Sequence, residues 1–136
     1  MADAARRIGI VGAGAWGTAL AQVLARAGRD VAIWAREPEL VAAINRDREN
    51  KLFLPGVALD PAIRAEAEIG AVASGAAVVL LAVPAQHLRA TARALAGVTV
   101  PMAICAKGIE TGTGALMSEI VAAAIPEAPR AVLSGP

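Results

Sequence analysis

Arg7-Ile8-Gly9-Ile10-Val11-Gly12-Ala13-Gly14-Ala15-Trp16-Gly17-Thr18-Ala19-Leu20 decides how the rest of this chain is read. Ile8, Ile10 and Val11 make a short apolar run, the pattern of a strand buried inside a sheet. The run breaks at Gly12, and helical spacing starts near Ala15. Between them lies G-x-G-x-x-G, at Gly12, Gly14 and Gly17. Each glycine has its own job in a dinucleotide site. Gly12 permits a tight turn out of the strand, Gly14 bares the backbone to a diphosphate, and Gly17 lets the helix pack closely. The unpaired N–H groups and the dipole of a helix start then favour an anion. In a chain with 13 glycines among 136 residues the bare triplet is a weak signal, and an ordinary strand–turn–helix would carry it too. Its place after an apolar strand and at the opening of an amphipathic helix adds the weight.

After the glycines, Trp16, Leu20, Val23, Leu24 and Ala27 recur at helical spacing and are expected to face the core, with Gln22, Arg26 and Arg29 opposite. Gly28 closes that helix, and Val31-Ala32-Ile33-Trp34 is a second strand. Glu37 to Arg46 reads as a helix with Pro38 in its first turn and Leu40, Val41 and Ile44 on one face. Residues 47–62 keep no period and are broken by Pro55, Gly56 and Pro61. A loop that long in a compact domain is often functional. Ile63 to Ile69 alternates apolar with charged, as a half-buried edge strand does. Ala76 to Val83 is apolar on both faces, the mark of a central parallel strand, and Pro84 stops it. A helix over Gln86–Leu95, a strand over Val98–Ala106, a helix capped by Thr111 or Thr113 and ending near Ala124, and a strand from Ala131 to Leu133 complete the pattern.

Strands and helices in that alternation predict an α/β fold: a doubly wound, mainly parallel Rossmann sheet of order 3-2-1-4-5-6, formed by one domain over residues 1–136. Ligands of such sheets bind beyond the carboxyl ends of the strands where the order reverses. The expected walls are Gly12–Gly17, the Val83-Pro84 corner and Ala106-Lys107-Gly108.

Composition narrows the function classes. Residues are 57% hydrophobic but 2% aromatic, so aliphatic side chains and alanine must fill the core. A net charge of +1 argues against a nucleic-acid partner, and with no tyrosine and only Trp16, Trp34 and Phe53 there is no stacking platform for bases. Cys105 is alone and lies in an apolar run, so it is expected to be a small buried hydrophobe of a cytoplasmic, reducing setting. No stretch of 18 apolar residues spans a membrane, and the N-terminus lacks the pattern of a signal peptide. One histidine and one cysteine make no metal set.

Several residues remain that could carry chemistry. An acidic residue at the end of the second strand would bind a ribose 2′-hydroxyl, as NAD sites require. Here Arg36 comes first, and a guanidinium matches a 2′-phosphate, so NADP (as NADPH) is favoured over NAD. Glu37 either opens the next helix or, turned inward, accepts NAD. Lys107 stands where strand five opens onto the crevice; it either meets a substrate phosphate or carbonyl, or is a surface lysine before a glycine turn. His87 has no carboxylate near it in sequence, which favours a non-catalytic role. Trp16 either walls the ligand or packs into the core at the helix start.

Gly12-Ala13-Gly14-Ala15-Trp16-Gly17-Thr18-Ala19-Leu20-Ala21, Trp34-Ala35-Arg36, Phe53-Leu54-Pro55-Gly56, Val83-Pro84, Ala106-Lys107-Gly108-Ile109-Glu110 and Leu133-Ser134-Gly135-Pro136 occur in an order that resembles the bacterial type of NAD(P)-dependent glycerol-3-phosphate dehydrogenase. That resemblance implies a cofactor domain followed by a helical substrate domain that this chain lacks. It implies cofactor contacts from Gly12, Gly14, Ala15, Trp16, Gly17, Arg36, Phe53, Pro84, His87 and Lys107, and substrate contacts from Lys107 and Gly135. Phe53 stands where the family often has tyrosine. The implied reaction moves a hydride between NAD(P)H and dihydroxyacetone phosphate or glycerol 3-phosphate, feeding phospholipid synthesis. The family's general-base lysine and phosphate-binding arginine fall beyond Pro136, so no catalytic residue is expected here and the chain alone is expected to turn over nothing. A small phosphorylated substrate is the implied partner, and a homodimer stays open. Two other readings stand beside this one: the cofactor domain of another two-domain hydroxyacid or sugar-acid dehydrogenase, and a non-catalytic nucleotide-sensing module.

Overall fold

The computed structural model describes residues 7–134. Its centre is strand β1, Arg7–Val11, which pairs in parallel with β2 (Asp30–Trp34) on one side and β4 (Val78–Leu81) on the other. Ile10 and Val11 have no solvent exposure. A strand covered on both faces has to be apolar on both, which is why β1 and β4 read as continuous hydrophobic runs. With β3 (Ile63–Glu66), β5 (Met102–Ile104) and β6 (Arg130–Val132) the sheet has six parallel strands in the order β3-β2-β1-β4-β5-β6, as expected.

Helices cover both faces. Helix α1 (Ala15–Arg26) and α2 (Pro38–Asp47) pack on one, around Ile8, Ile10, Ile33 and Ile44. Helices α3 (Ile69–Ala73), α4 (Leu88–Arg93) and α5 (Met117–Ala124) pack on the other, around Val11, Leu81, Leu88, Ile104 and Ile120. Each fully buried leucine or isoleucine contributes about 1.5–3 kcal/mol of burial energy, so aliphatic residues suffice without aromatics. Among the described residues, no helix is long and apolar enough to cross a membrane.

The elements differ from expectation in five places. The buried face of α1 is Gly17, Thr18, Ala21, Gln22 and Ala25, whereas Trp16 is 58% and Val23 65% exposed. Close packing of the helix on the sheet places mostly small side chains beneath it, so Trp16 and Val23 turn outward while Leu20 and Leu24 stay partly buried at the margin. Strand β3 ends at Glu66, and Ile69 opens the short α3 instead of prolonging the alternation. The segment after Pro84 starts as a 3-10 turn, Ala85–His87, before α4. Strand β5 pairs over three residues only, its neighbours in 98–106 lying outside the ladder. Neither Thr111 nor Thr113 caps α5: the helix starts at Met117, where the Leu116 N–H donates to the Glu119 carboxylate at 2.9 Å.

Candidate functional site

The glycines of the first turn divide into two kinds. Gly12 has φ +117°, and a Cβ there would stand 2.6 Å from the Ala82 carbonyl oxygen. A Cβ on Gly17 would fall on the carbonyl oxygen of Gly12 and 3.5 Å from the Ala82 Cβ. These two positions are glycine because the protein itself leaves no room. Gly14 is different: a Cβ there meets nothing within 4 Å, and its φ of −70° suits any residue. It is the N-cap of α1, and no side chain caps that helix start. An uncapped helix N-terminus beside a bare glycine is a cradle for an anion. Gly9 is a further steric glycine, since a Cβ there would fall on the Val72 carbonyl that α3 brings against β1.

This turn forms one wall of a cleft of about 920 Å³ at the carboxyl ends of the central strands. Such a volume lies at the upper end of the roughly 300–1,000 Å³ of small-molecule sites. Gly12, Ala13, Gly14, Ala15 and Trp16 line it from the turn; Trp34, Arg36 and Glu37 from the end of β2; Phe53 from the loop after α2; Pro84 and His87 from the corner after β4; Cys105 and Ala106 from the end of β5. Of the residues expected at the site, Gly12, Gly14, Ala15, Trp16, Arg36, Phe53, Pro84 and His87 are therefore gathered in one place. Gly17 and Lys107 do not line it: Gly17 is buried, and Lys107 is exposed, one residue past Ala106. Gly135 lies outside the described residues.

Local chemistry sets each wall. Trp16, too exposed to be a core residue, stands at the rim. Arg36 is exposed, and Glu37 is the N-cap of α2, its carbonyl accepting from Leu40 and Val41 at 3.1 and 3.2 Å. Trp34 is tied by its indole N–H to the Ala67 carbonyl at 3.0 Å. His87 closes the 3-10 turn, its N–H donating to Pro84 at 2.9 Å while its carbonyl accepts from the Thr91 hydroxyl at 2.8 Å. Cys105 is buried, and burial pushes its thiol above the ordinary range, so it remains a neutral thiol near pH 7.

Polar groups that brace these walls and the loops beside them escaped the sequence reading. Asn50 is fully buried, and its amide donates to the Ala13 carbonyl and to Thr18 Oγ1, both at 2.8 Å. Gln22, expected on the solvent side of α1, instead donates to the Ala58 carbonyl at 3.1 Å and accepts from the Asp60 N–H at 2.9 Å. Glu110 accepts a two-pronged bond from Arg89, at 2.9 Å from Nε and 2.8 Å from Nη2, and another from Thr113 at 2.6 Å. The Arg89 guanidinium, with the Thr113 hydroxyl after it, pulls the Glu110 carboxyl from 4.5 down to about 2. Gln86 adds two bonds, to the Ile109 carbonyl at 3.1 Å and from the Thr111 N–H at 2.8 Å. The loop that follows Lys107 is thus fastened to the start of α4. Glu110 stood in a quoted motif, but nothing in the sequence names Arg89 as its partner.

Known proteins share this arrangement. The model of a family described as NAD-dependent glycerol-3-phosphate dehydrogenase N-terminus matches residues 7–136. A glycerol-3-phosphate dehydrogenase [NAD(P)+] of Rhodospirillum rubrum is 57% identical over 132 residues, covering 95% of this chain and 38% of that protein. A crystal structure of glycerol-3-phosphate dehydrogenase from Coxiella burnetii superposes with a TM-score of 0.89 at 31% identity, over 98% of this chain and 42% of the other. One from Saccharomyces cerevisiae gives 0.85 at 26% identity, over 96% and 42%. The chain spans well under half the length of these three relatives. With a match from β1 to the last residue, on a sheet of the expected order, the chain belongs to the NAD-dependent glycerol-3-phosphate dehydrogenase N-terminus family.

Proposed function

We propose that this chain is the cofactor-binding part of an oxidoreductase that moves a hydride between a nicotinamide dinucleotide, NADPH in preference to NADH, and dihydroxyacetone phosphate or glycerol 3-phosphate. The single observation that carries the proposal is the bare, uncapped start of α1 at Gly14, opening into the cleft that Arg36 also lines. The cleft fits the group. The N–H end of α1 holds the diphosphate with no side chain in competition. Arg36 pairs with the 2′-phosphate, for which a guanidinium has the geometry and the charge. Trp16 and Phe53 shield the reacting end from water.

When bound, the nicotinamide supplies or accepts the hydride at its C4. Lys107 holds the substrate oxygen in reach as charge develops there, its loop braced by the Arg89–Glu110 pair. The proton that accompanies the hydride is handled by a base in the part of the relatives that this chain does not span. The product or substrate, glycerol 3-phosphate, links the reaction to phospholipid synthesis. The names of the relatives favour this substrate over a hydroxyacid or sugar acid. The test is NADPH oxidation by dihydroxyacetone phosphate, measured on a polypeptide of the relatives' full length that begins with this sequence. Turnover that vanishes with Lys107→Ala supports the assignment; turnover of a hydroxyacid in place of the triose phosphate overturns it.

A further inference from the structure

Asn50 sits between two walls of the cleft and touches both. It has no solvent exposure, and every polar atom of its amide is used. The orientation is unambiguous, because the Ala13 carbonyl can only accept and the Phe53 N–H can only donate. The amide nitrogen therefore faces Ala13 and Thr18, and the amide oxygen accepts from Phe53 at 3.1 Å. The main-chain carbonyl of Asn50 accepts from Leu54 at 2.8 Å, closing the turn that carries Phe53. Thr18 completes a triangle by donating to the same Ala13 carbonyl at 3.3 Å.

The base of this long loop is fixed independently. Arg48 binds the Asp60 and Ile63 carbonyls at 2.6 and 2.7 Å, and Gln22 holds Ala58 and Asp60. The tip is held by Asn50 and by one exposed bond, from the Gly56 N–H to Glu49 at 3.2 Å. The Ala13 carbonyl lies between the first two glycines, and its two donors are buried or nearly so. They draw that oxygen into the protein, away from any anion on the start of α1.

Resting on the dinucleotide site proposed above, we infer that Asn50 is a positioning residue that couples the glycine turn to the Phe53 turn, so that an anion bound at Gly14 tightens Phe53 against the same cleft. The ligand need not touch Phe53 for this. An anion that draws the Gly12–Gly14 backbone toward itself shifts the Ala13 carbonyl, and Asn50 transmits the shift to the Phe53 N–H.

Hydrogen exchange on the 136-residue chain, with and without saturating ADP, reads the coupling directly. ADP is expected to slow exchange at the Phe53 and Leu54 amides at least threefold. In Asn50→Asp the carboxylate still accepts from Phe53 but cannot donate to Ala13, so ADP should bind without slowing those amides. Thr18→Val, which removes one leg of the triangle, serves if the aspartate variant fails to fold, and should cut the slowing at least twofold. ADP binding with no change at Phe53 and Leu54, or an undiminished response in the variant, overturns the coupling and leaves the dinucleotide site standing. Failure of ADP, NADH and NADPH alike to bind overturns the site and the coupling with it.

Discussion

The Cβ that Gly17 lacks would fall on the carbonyl oxygen of Gly12, five residues earlier in the same turn, whereas Gly14 between them has open space where its Cβ would be. One motif thus contains glycines required by packing and one glycine the fold does not require. The two kinds separate by experiment. Gly17→Ala should destabilise the chain by about 1–3 kcal/mol through overpacking, lowering Tm by several degrees. Gly14→Ala should cost about 0.5–1 kcal/mol and a few degrees of Tm, because nothing stands where its Cβ would be and the loss is only that of a better N-cap residue. The same Gly14→Ala should weaken NADPH binding at least tenfold, about 1.4 kcal/mol. Thermal melts and a binding titration on the two variants check both halves.

Arg36 is the residue proposed to favour NADPH over NADH. Its guanidinium is exposed, so a pair with a 2′-phosphate is partly screened, and Arg36→Ala should weaken NADPH about tenfold, near 1.4 kcal/mol. NADH has no 2′-phosphate and should change less than about threefold. Parallel calorimetric titrations with the two cofactors check this; equal losses would remove Arg36 from the 2′-phosphate role.

The Arg89–Glu110 pair gives the chain an acid-sensitive element. The folded carboxyl titrates near 2 against an ordinary 4.5. A depressed carboxylate stabilises the folded state above its ordinary value, and that contribution fades as pH falls from about 4.5 toward 2. Glu110→Gln should therefore show a flatter dependence of stability on pH in that window, and a lower stability than the parent above it. Urea unfolding at a series of pH values, followed by circular dichroism, measures the difference. Superimposable slopes for parent and variant would show that the pair is not coupled to folding. Raised salt should change little, because Glu110 is shielded by its partners, with its side chain 12% exposed.

The strand order was legible because burial leaves a direct mark on composition. A strand covered on both faces, such as β4, has to be apolar throughout, and an edge strand such as β3 alternates. The face of α1 was misread for a physical reason. Periodicity weighs large apolar residues, so Trp16 and Val23 drew the core toward themselves, but close packing selects Gly17, Thr18 and Ala21. The turn glycines were visible because a tight turn and close packing leave a local mark, and the position of Arg36 because it follows the end of β2. Asn50 and Gln22 were not, since the partners that bury them lie 32 to 38 residues away and only the folded chain brings them near. A buried amide of this kind has no local signature, because what permits its burial is the satisfaction of every donor and acceptor.

The start of α1 and the cleft beside it are proposed to bind a nicotinamide dinucleotide. The most direct test is a fluorescence titration of the 136-residue chain with NADPH, using Trp16 and Trp34, which line the cleft. The structure predicts saturable quenching of tryptophan emission at one equivalent, reversed by ADP and weakened in Gly14→Ala. Emission that declines without saturating, and equally in the parent and in Gly14→Ala, would contradict it.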